Sequence, residues 1–190
     1  MGVSVVVVGA SLGGFSALKV LLSGLPKDFG APIVIVQHRG KTADGALADL
    51  LGEETPLPVS EPNDKDPLAA GRVYVAPADY HLLVEPGHLA LSMDAPVGHS
   101  RPSIDILFES AAEAYGSLVV AVLLTGANED GARGCMRVKE RGGVVLVEDP
   151  ADARSSVMPA AAIRTTIVDR VLPLSELPSV LAQLCREPVR

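Results

Sequence analysis

Tryptophan is missing from this 190-residue chain, and three Tyr and three Phe are its only other aromatics, which leaves few rings on which nucleobases can stack. Positive charge is also short. Sixteen Lys and Arg stand against 23 Asp and Glu, a formal net charge of −7, so binding to nucleic acid or to an anionic lipid surface is disfavoured. The two cysteines, Cys135 and Cys185, have neither metal-ligand spacing nor the density of a secreted disulfide scaffold; both fall in expected helices and read as small apolar residues. No pair of His81, His88 and His99 has the spacing of a zinc protease, so neither a metal nor another cofactor is expected. The apolar runs Val3–Val8, Ile33–Val36 and Leu118–Leu124 are far below the roughly twenty residues of a membrane span and read as buried strands. A basic segment before the first run and a cleavage site after it are both lacking, so no export signal is read and a cytoplasmic location is expected. A small-molecule or protein substrate remains.

What is present fits an ordinary globular protein: 48% hydrophobic and 21% charged residues, with no repeat or low-complexity tract. One well-filled core, hence a single domain over residues 1–190, is expected at this length. Strand and helix patterns alternate, which predicts an α/β fold with a doubly wound, mostly parallel sheet and helices on both faces. Val3–Val8 reads as the first strand, Phe15, Leu18, Leu21 and Leu22 as the face of the first helix, and Pro32–Gln37 as the second strand. A short helix around Ala46–Leu51 precedes an irregular Pro-rich passage and the short strand Val73–Ala76. His81–Glu85 and His88–Ser92 flank Pro86-Gly87 and read as an antiparallel β-hairpin. Pro102 is expected to open a helix that Gly116 closes. Strand Leu118–Leu124, helix Ala132–Arg141, strand Val144–Val147, a short helix at Met158–Ile163, strand Val168–Leu172 and a helix from Ser175 to Cys185 follow, with Arg186–Arg190 expected to fray.

Ser11 lies in Gly9-Ala10-Ser11-Leu12-Gly13, between an all-valine run and a helix. A tight strand-to-helix turn lifts its central side chain out of the sheet, and the N–H groups opening the helix point at the same spot, so attacker and anion stabiliser share one turn. Ligands of open parallel sheets bind beyond the carboxyl ends of the strands. His38 ends the second strand there, and Asp130 follows the strand Leu118–Leu124. A serine hydroxyl needs a base to take its proton; imidazole serves near neutrality, and a carboxylate fixes its tautomer and steadies the cation. Each residue also has a structural reading: Ser11 as a turn residue, His38 as a hydrogen-bonded strand end, Asp130 as the cap of the following helix. Nucleotide binding at the Gly-rich turn is a further alternative. It is weakened because Ser11 replaces the middle glycine of the dinucleotide fingerprint and no carboxylate ends the second strand.

Six blocks in one order, Gly9-Ala10-Ser11-Leu12-Gly13-Gly14, Val36-Gln37-His38, Val73-Tyr74-Val75-Ala76-Pro77, Arg101-Pro102-Ser103-Ile104-Asp105, Leu124 to Ala132 and Met158-Pro159, resemble the chemotaxis-type protein-glutamate methylesterases, the CheB catalytic domain. The resemblance spans nearly the whole chain. It implies hydrolysis of γ-glutamyl methyl esters on methyl-accepting chemotaxis receptors to glutamate and methanol, with some members also deamidating receptor glutamines. It carries the family's triad to Ser11, His38 and Asp130, its oxyanion hole to the backbone N–H groups of Leu12 and Ala127, and substrate contacts to Arg101 and Met158. The family commonly has Thr, Met and Gly where this chain has Leu12, Ala127 and Asn128, which touches substrate fit more than the triad. Arg39, Lys41 and Arg101 are expected to face acidic receptor surface. The family's usual receiver domain is expected to be absent, and with it regulation by phosphorylation within the chain. The rival expectation is a catalytically silent module that docks to receptor or signalling proteins.

Overall fold

The computed structural model of the chain describes residues 3–40 and 46–186. In chain order its elements are β1 (Val5–Ala10), α1 (Gly14–Ser23), β2 (Ile33–Gln37), α2 (Ala46–Gly52), β3 (Val59–Ser60), β4 (Val73–Val75), β5 (His81–Glu85), β6 (His88–Ser92), α3 (Ile104–Tyr115), β7 (Val119–Leu123), α4 (Ala132–Glu140), β8 (Val144–Glu148), α5 (Val157–Thr165), β9 (Arg170–Leu172) and α6 (Leu177–Arg186). Seven strands form one sheet in the order β3-β4-β2-β1-β7-β8-β9, and every neighbouring pair is parallel. The expected doubly wound sheet is therefore present, and wholly rather than mostly parallel. β5 and β6 pair antiparallel as a separate two-stranded sheet, in the register set by Pro86-Gly87.

The valines of β1 explain the layering. A strand covered on both faces has no solvent side to mark with polar residues, so it reads as a continuous apolar run. Val5 and Val7 point into one core, with Leu107 and Phe108 of α3, Val138 of α4, and Leu82, Val84 and Leu89 of the hairpin. Val6 and Val8 point into the other, with Leu18, Leu21 and Leu22 of α1 and Leu177 and Leu181 of α6. Each such fully buried side chain stabilises the fold by about 1.5–3 kcal/mol, so this strand is held from both sides.

Several boundaries differ from the sequence reading. β3 lies within the Pro-rich passage expected to be irregular; Pro58, unable to donate, supplies only its carbonyl to Val73 N at 2.9 Å, a role an edge position permits. Pro102 does not open α3. Ser103 does, its hydroxyl accepting from Ile106 N. The last helix starts two residues late because Leu174–Glu176 forms a 3₁₀ turn first. Lys41 and the segment Glu187–Arg190 of the expected frayed end lie outside the described residues.

The sheet order reverses at β1: the chain leaves it toward β2 and β4 on one side and resumes at β7, β8 and β9 on the other. Such a switch point leaves a crevice beyond the strand ends where neither flanking connection crosses. The register aligns Ala10 with Gln37 and Gly9 with Leu123, so the residues just past β1, β2 and β7 emerge side by side.

Candidate active site

Ser11, His38 and Asp130 meet in that crevice. The backbone fixes the first two: Ser11 N donates to Thr125 O at 2.9 Å and His38 N donates to Ala10 O at 3.0 Å. His38 Nδ1 lies 3.1 Å from Ser11 Oγ, and Nε2 lies 2.8 Å from Asp130 Oδ2. An ionised carboxylate only accepts, so Nε2 carries the proton and Nδ1 turns its lone pair to the hydroxyl. Compared with the Ser-His-Asp template of serine proteases, the two ring nitrogens exchange places. Because they are conjugated, either can take a proton while the other donates to the carboxylate.

Asp130 does not cap the helix that follows it. Its Oδ1 accepts from Ser103 Oγ and Asp105 N, both at 2.9 Å, and its Oδ2 accepts from Ile104 N at 2.8 Å as well as from His38. The carboxylate thus sits on the N-terminus of α3, where unpaired N–H groups and the helix dipole favour negative charge. Asp105 returns the arrangement, its Oδ1 accepting from Gly131 N and Gly134 N, at 2.9 and 2.8 Å, at the start of α4. The first turn of α3 and the loop leading into α4 thus each lend a carboxylate to the other's helix N-terminus. Burial alone would raise the Asp130 pKa, but the hydrogen bond from His38, the two N–H groups of α3 and the histidine's charge outweigh it and hold the carboxyl below its ordinary value. For Asp105 burial prevails, reinforced by the neighbouring Asp130 charge and opposed by Gly134 N, Arg133 and Gly131 N, so its pKa is raised.

The Ser11 turn is built differently. Gly13, at the N-cap of α1, has φ +83°, a conformation costly for other residues, and no side chain caps the helix. Among the described residues the N–H groups of Leu12 and Ala127 have no hydrogen-bond partner. The loop after β7 is stitched to the turn by Thr125, whose hydroxyl donates to Leu12 O at 2.9 Å and accepts from Ser155 N at 2.8 Å, while Glu148 accepts from Thr125 N at 2.7 Å. Burial raises the Glu148 pKa. Gly126 permits close approach here, since a Cβ on it would overlap the Met158 methyl and press on Ser11 Cβ. Gln37 Nε2 donates to both Ser11 O and His38 O at 2.9 Å and so ties the two backbone segments together.

The residues expected to bind substrate divide. Arg101 lines a hollow of about 480 Å³ together with Ser11, His38 and Asn128. Its Nε and Nη2 are engaged by Asp79 Oδ1, at 3.0 and 2.8 Å, and its Nη1 by the carbonyls of Met93 and Asp94. Arg39 lines the same hollow but pairs with Glu61 and donates to Ala76 O. Met158 is 0% exposed, its side chain packed in the core beneath Gly126. Leu12 is 53% exposed, on the rim of a second hollow beside Ser11 that Phe15 also lines. Of the other histidines, His81 serves the scaffold, accepting from Ser103 N at 3.2 Å with Nε2 on Ala95 O.

Sequence reasoning missed Gln37, Ser103, Asp105, Thr125, Glu148 and Asn128 as parts of this assembly. Ser103 two residues before Asp105 carries an N-cap signature and was within reach; each of the others has a partner 23 or more residues away that no local pattern marks. Cys135 is buried in α4 and its thiol pKa raised; Cys185 is half-buried in α6, burial pushing its thiol up to about 12. Among the described residues no group of His, Cys, Asp and Glu is arranged to hold a metal, and no helix is long and apolar enough to cross a membrane.

Comparison with known proteins assigns this geometry a context. The family described as CheB methylesterase matches residues 6–181. A protein-glutamate methylesterase/protein-glutamine glutaminase of Anaeromyxobacter dehalogenans is 47% identical over 97% of this chain and 54% of its own length. A Leptospira interrogans protein, provisionally named for the same two activities, is 43% identical over 97% of this chain and 96% of its own. The crystal structure of the Thermotoga maritima CheB methylesterase catalytic domain superposes with a TM-score of 0.91 at 37% identity, covering 97% of this chain and 99% of that one.

Proposed function

The chain belongs to the CheB methylesterase family, and from that premise we propose that it hydrolyses γ-glutamyl methyl esters of methyl-accepting chemotaxis receptors to glutamate and methanol, acting in the cytoplasm as one catalytic domain. The observation that carries the reading is the unbroken line of contacts from Ser11 Oγ through His38 to Asp130, at 3.1 and 2.8 Å.

Ser11 Oγ attacks the ester carbonyl carbon while its proton passes to His38 Nδ1. The oxyanion is received by the N–H groups of Leu12 and Ala127, each worth on the order of 3 kcal/mol. As the tetrahedral species collapses, the carbon–methoxy bond breaks and the Nδ1 proton goes to the departing oxygen, releasing methanol. Water then attacks the acyl-enzyme, gives its proton to Nδ1, and the proton returns to Ser11 as glutamate leaves. Asp130 stays ionised throughout and steadies the imidazolium through Nε2–H. The same cycle on a glutamine side chain releases ammonia, the glutaminase activity in the relatives' names. Leu12 and Phe15, exposed beside Ser11, give the receptor helix an apolar shoulder to rest on, while Arg101 supports the opposite wall. Met158 supports the turn from the core.

The test is methanol release from methylated receptor fragments. Wild-type protein is expected to release it and His38→Ala to lose at least a thousandfold in rate. Equal rates for the two would overturn the reading.

A further inference from the structure

The loop carrying Asp130 touches His38 a second time. Asn128 Nδ2 lies 3.2 Å from His38 Nδ1, and Asn128 Oδ1 accepts from Asp130 N at 3.2 Å. The second contact fixes the first: a backbone N–H can only donate, so the amide oxygen must face it and the NH₂ group must face the imidazole. Nδ1 has one in-plane lone pair. Two donors converge on it, Ser11 Oγ–H at 3.1 Å and the Asn128 amide. Two residues of one loop thus grip both ring nitrogens, Asp130 by accepting from Nε2 and Asn128 by donating to Nδ1.

These grips have opposite consequences for charge. Asp130 favours the imidazolium. Asn128 favours the neutral ring, because a proton on Nδ1 would face an N–H that can no longer be accepted. We propose that Asn128 is a positioning residue that holds the resting imidazole by its lone pair and thereby extends the availability of the base to lower pH. The proposal rests on His38 acting as the base. When Nδ1 is protonated during a turnover, the Asn128 N–H is released toward the hollow that it lines with Ser11 and His38. The other ionisable groups around the ring are Asp130, Asp105 behind it, and Arg39, His99 and Arg101 around the hollow.

The test follows the His38 ring by ¹⁵N NMR across pH, without substrate, in wild type, Asn128→Ala, Asn128→Ser and Asn128→Asp, with circular dichroism to check folding. The midpoint is expected to rise by about half a pH unit to one unit in Asn128→Ala. It should rise further in Asn128→Asp, which puts an acceptor against Nδ1, and least in Asn128→Ser, which keeps a donor. The acid limb of ester hydrolysis should move the same way. A midpoint unchanged or lowered in a folded Asn128→Ala protein overturns the proposal. Because the titration reads the ring whether or not an ester is turned over, an inactive protein with the expected shifts sinks the esterase reading alone.

Discussion

Three helix N-termini converge on the crevice, and they are treated in two ways. Those of α3 and α4 are occupied by resident carboxylates, Asp130 and Asp105, exchanged between the helices. That of α1, just behind Ser11, has no side-chain cap and no acidic residue in its first turn. The partial positive charge at a helix start is similar in all three. An N-terminus filled by a carboxylate from its own chain contributes to the fold permanently, whereas one left unfilled beside the proposed nucleophile is available to a negative charge that exists only during reaction. On the proposed mechanism, the Asp130 half of the site is tied to stability and the Ser11 half chiefly to turnover.

Substitutions on the two sides should separate these roles. Ser11→Ala is expected to abolish ester hydrolysis, by a thousandfold or more, while leaving thermal stability within about 0.5 kcal/mol of wild type. Asp130→Ala should lose comparable activity and also about 2–4 kcal/mol of stability, because Ser103 Oγ and two N–H groups of α3 are left buried without a partner. Paired kinetics and chemical denaturation decide; equal stability of the two variants would erase the comparison. A smaller effect concerns pH. The folded pKa of Asp130 is lowered, so its contribution to stability is full above the unfolded carboxylate value and fades as pH falls through the lower folded one. Asp105, with its pKa raised, acts in the opposite sense: its ionisation costs stability as pH rises through its folded value. Asp130→Asn should therefore flatten the loss of stability on acidification below about pH 4, measured by urea denaturation at several pH values. An unchanged acid limb would mean that the carboxylate is not held by charge.

The contrast also explains what was legible in the sequence. Ser11 and His38 follow directly from strands whose valine and isoleucine runs are unmistakable, and parallel pairing then brings their ends together without knowledge of any side-chain contact. The hairpin was equally readable from Pro86-Gly87 between alternating residues. Asp130 follows a strand that is equally legible, but its partners at the start of α3 are not, since a carboxylate before a helix also reads as that helix's own cap. The reciprocal use of Asp105 depends on α3 and α4 packing closely at Gly134, where a Cβ would press on Phe108 Cβ at 2.6 Å. No local pattern records that approach. Glu148 and Gln37 are hidden for the same reason: each reaches a backbone atom of a distant turn, Thr125 N and Ser11 O.

The smallest expected effect tests whether the α1 side depends on its backbone alone. Gly13 has φ +83°, and a Cβ there would lie 2.7 Å from Arg154 Cδ and 2.8 Å from Arg154 Cβ. Gly13→Ala should cost about 1–2 kcal/mol for the left-handed conformation, with a fall of about tenfold in kcat/KM as the Leu12 N–H shifts from its line to the oxyanion. Arg154 can move, the turn cannot. Adding Arg154→Ala should therefore restore only the part due to steric contact and leave most of the loss in both stability and rate. If the double variant recovers fully, crowding by Arg154 rather than the glycine's conformation sets the geometry of the turn, and the unfilled helix start would owe its shape to a side chain after all.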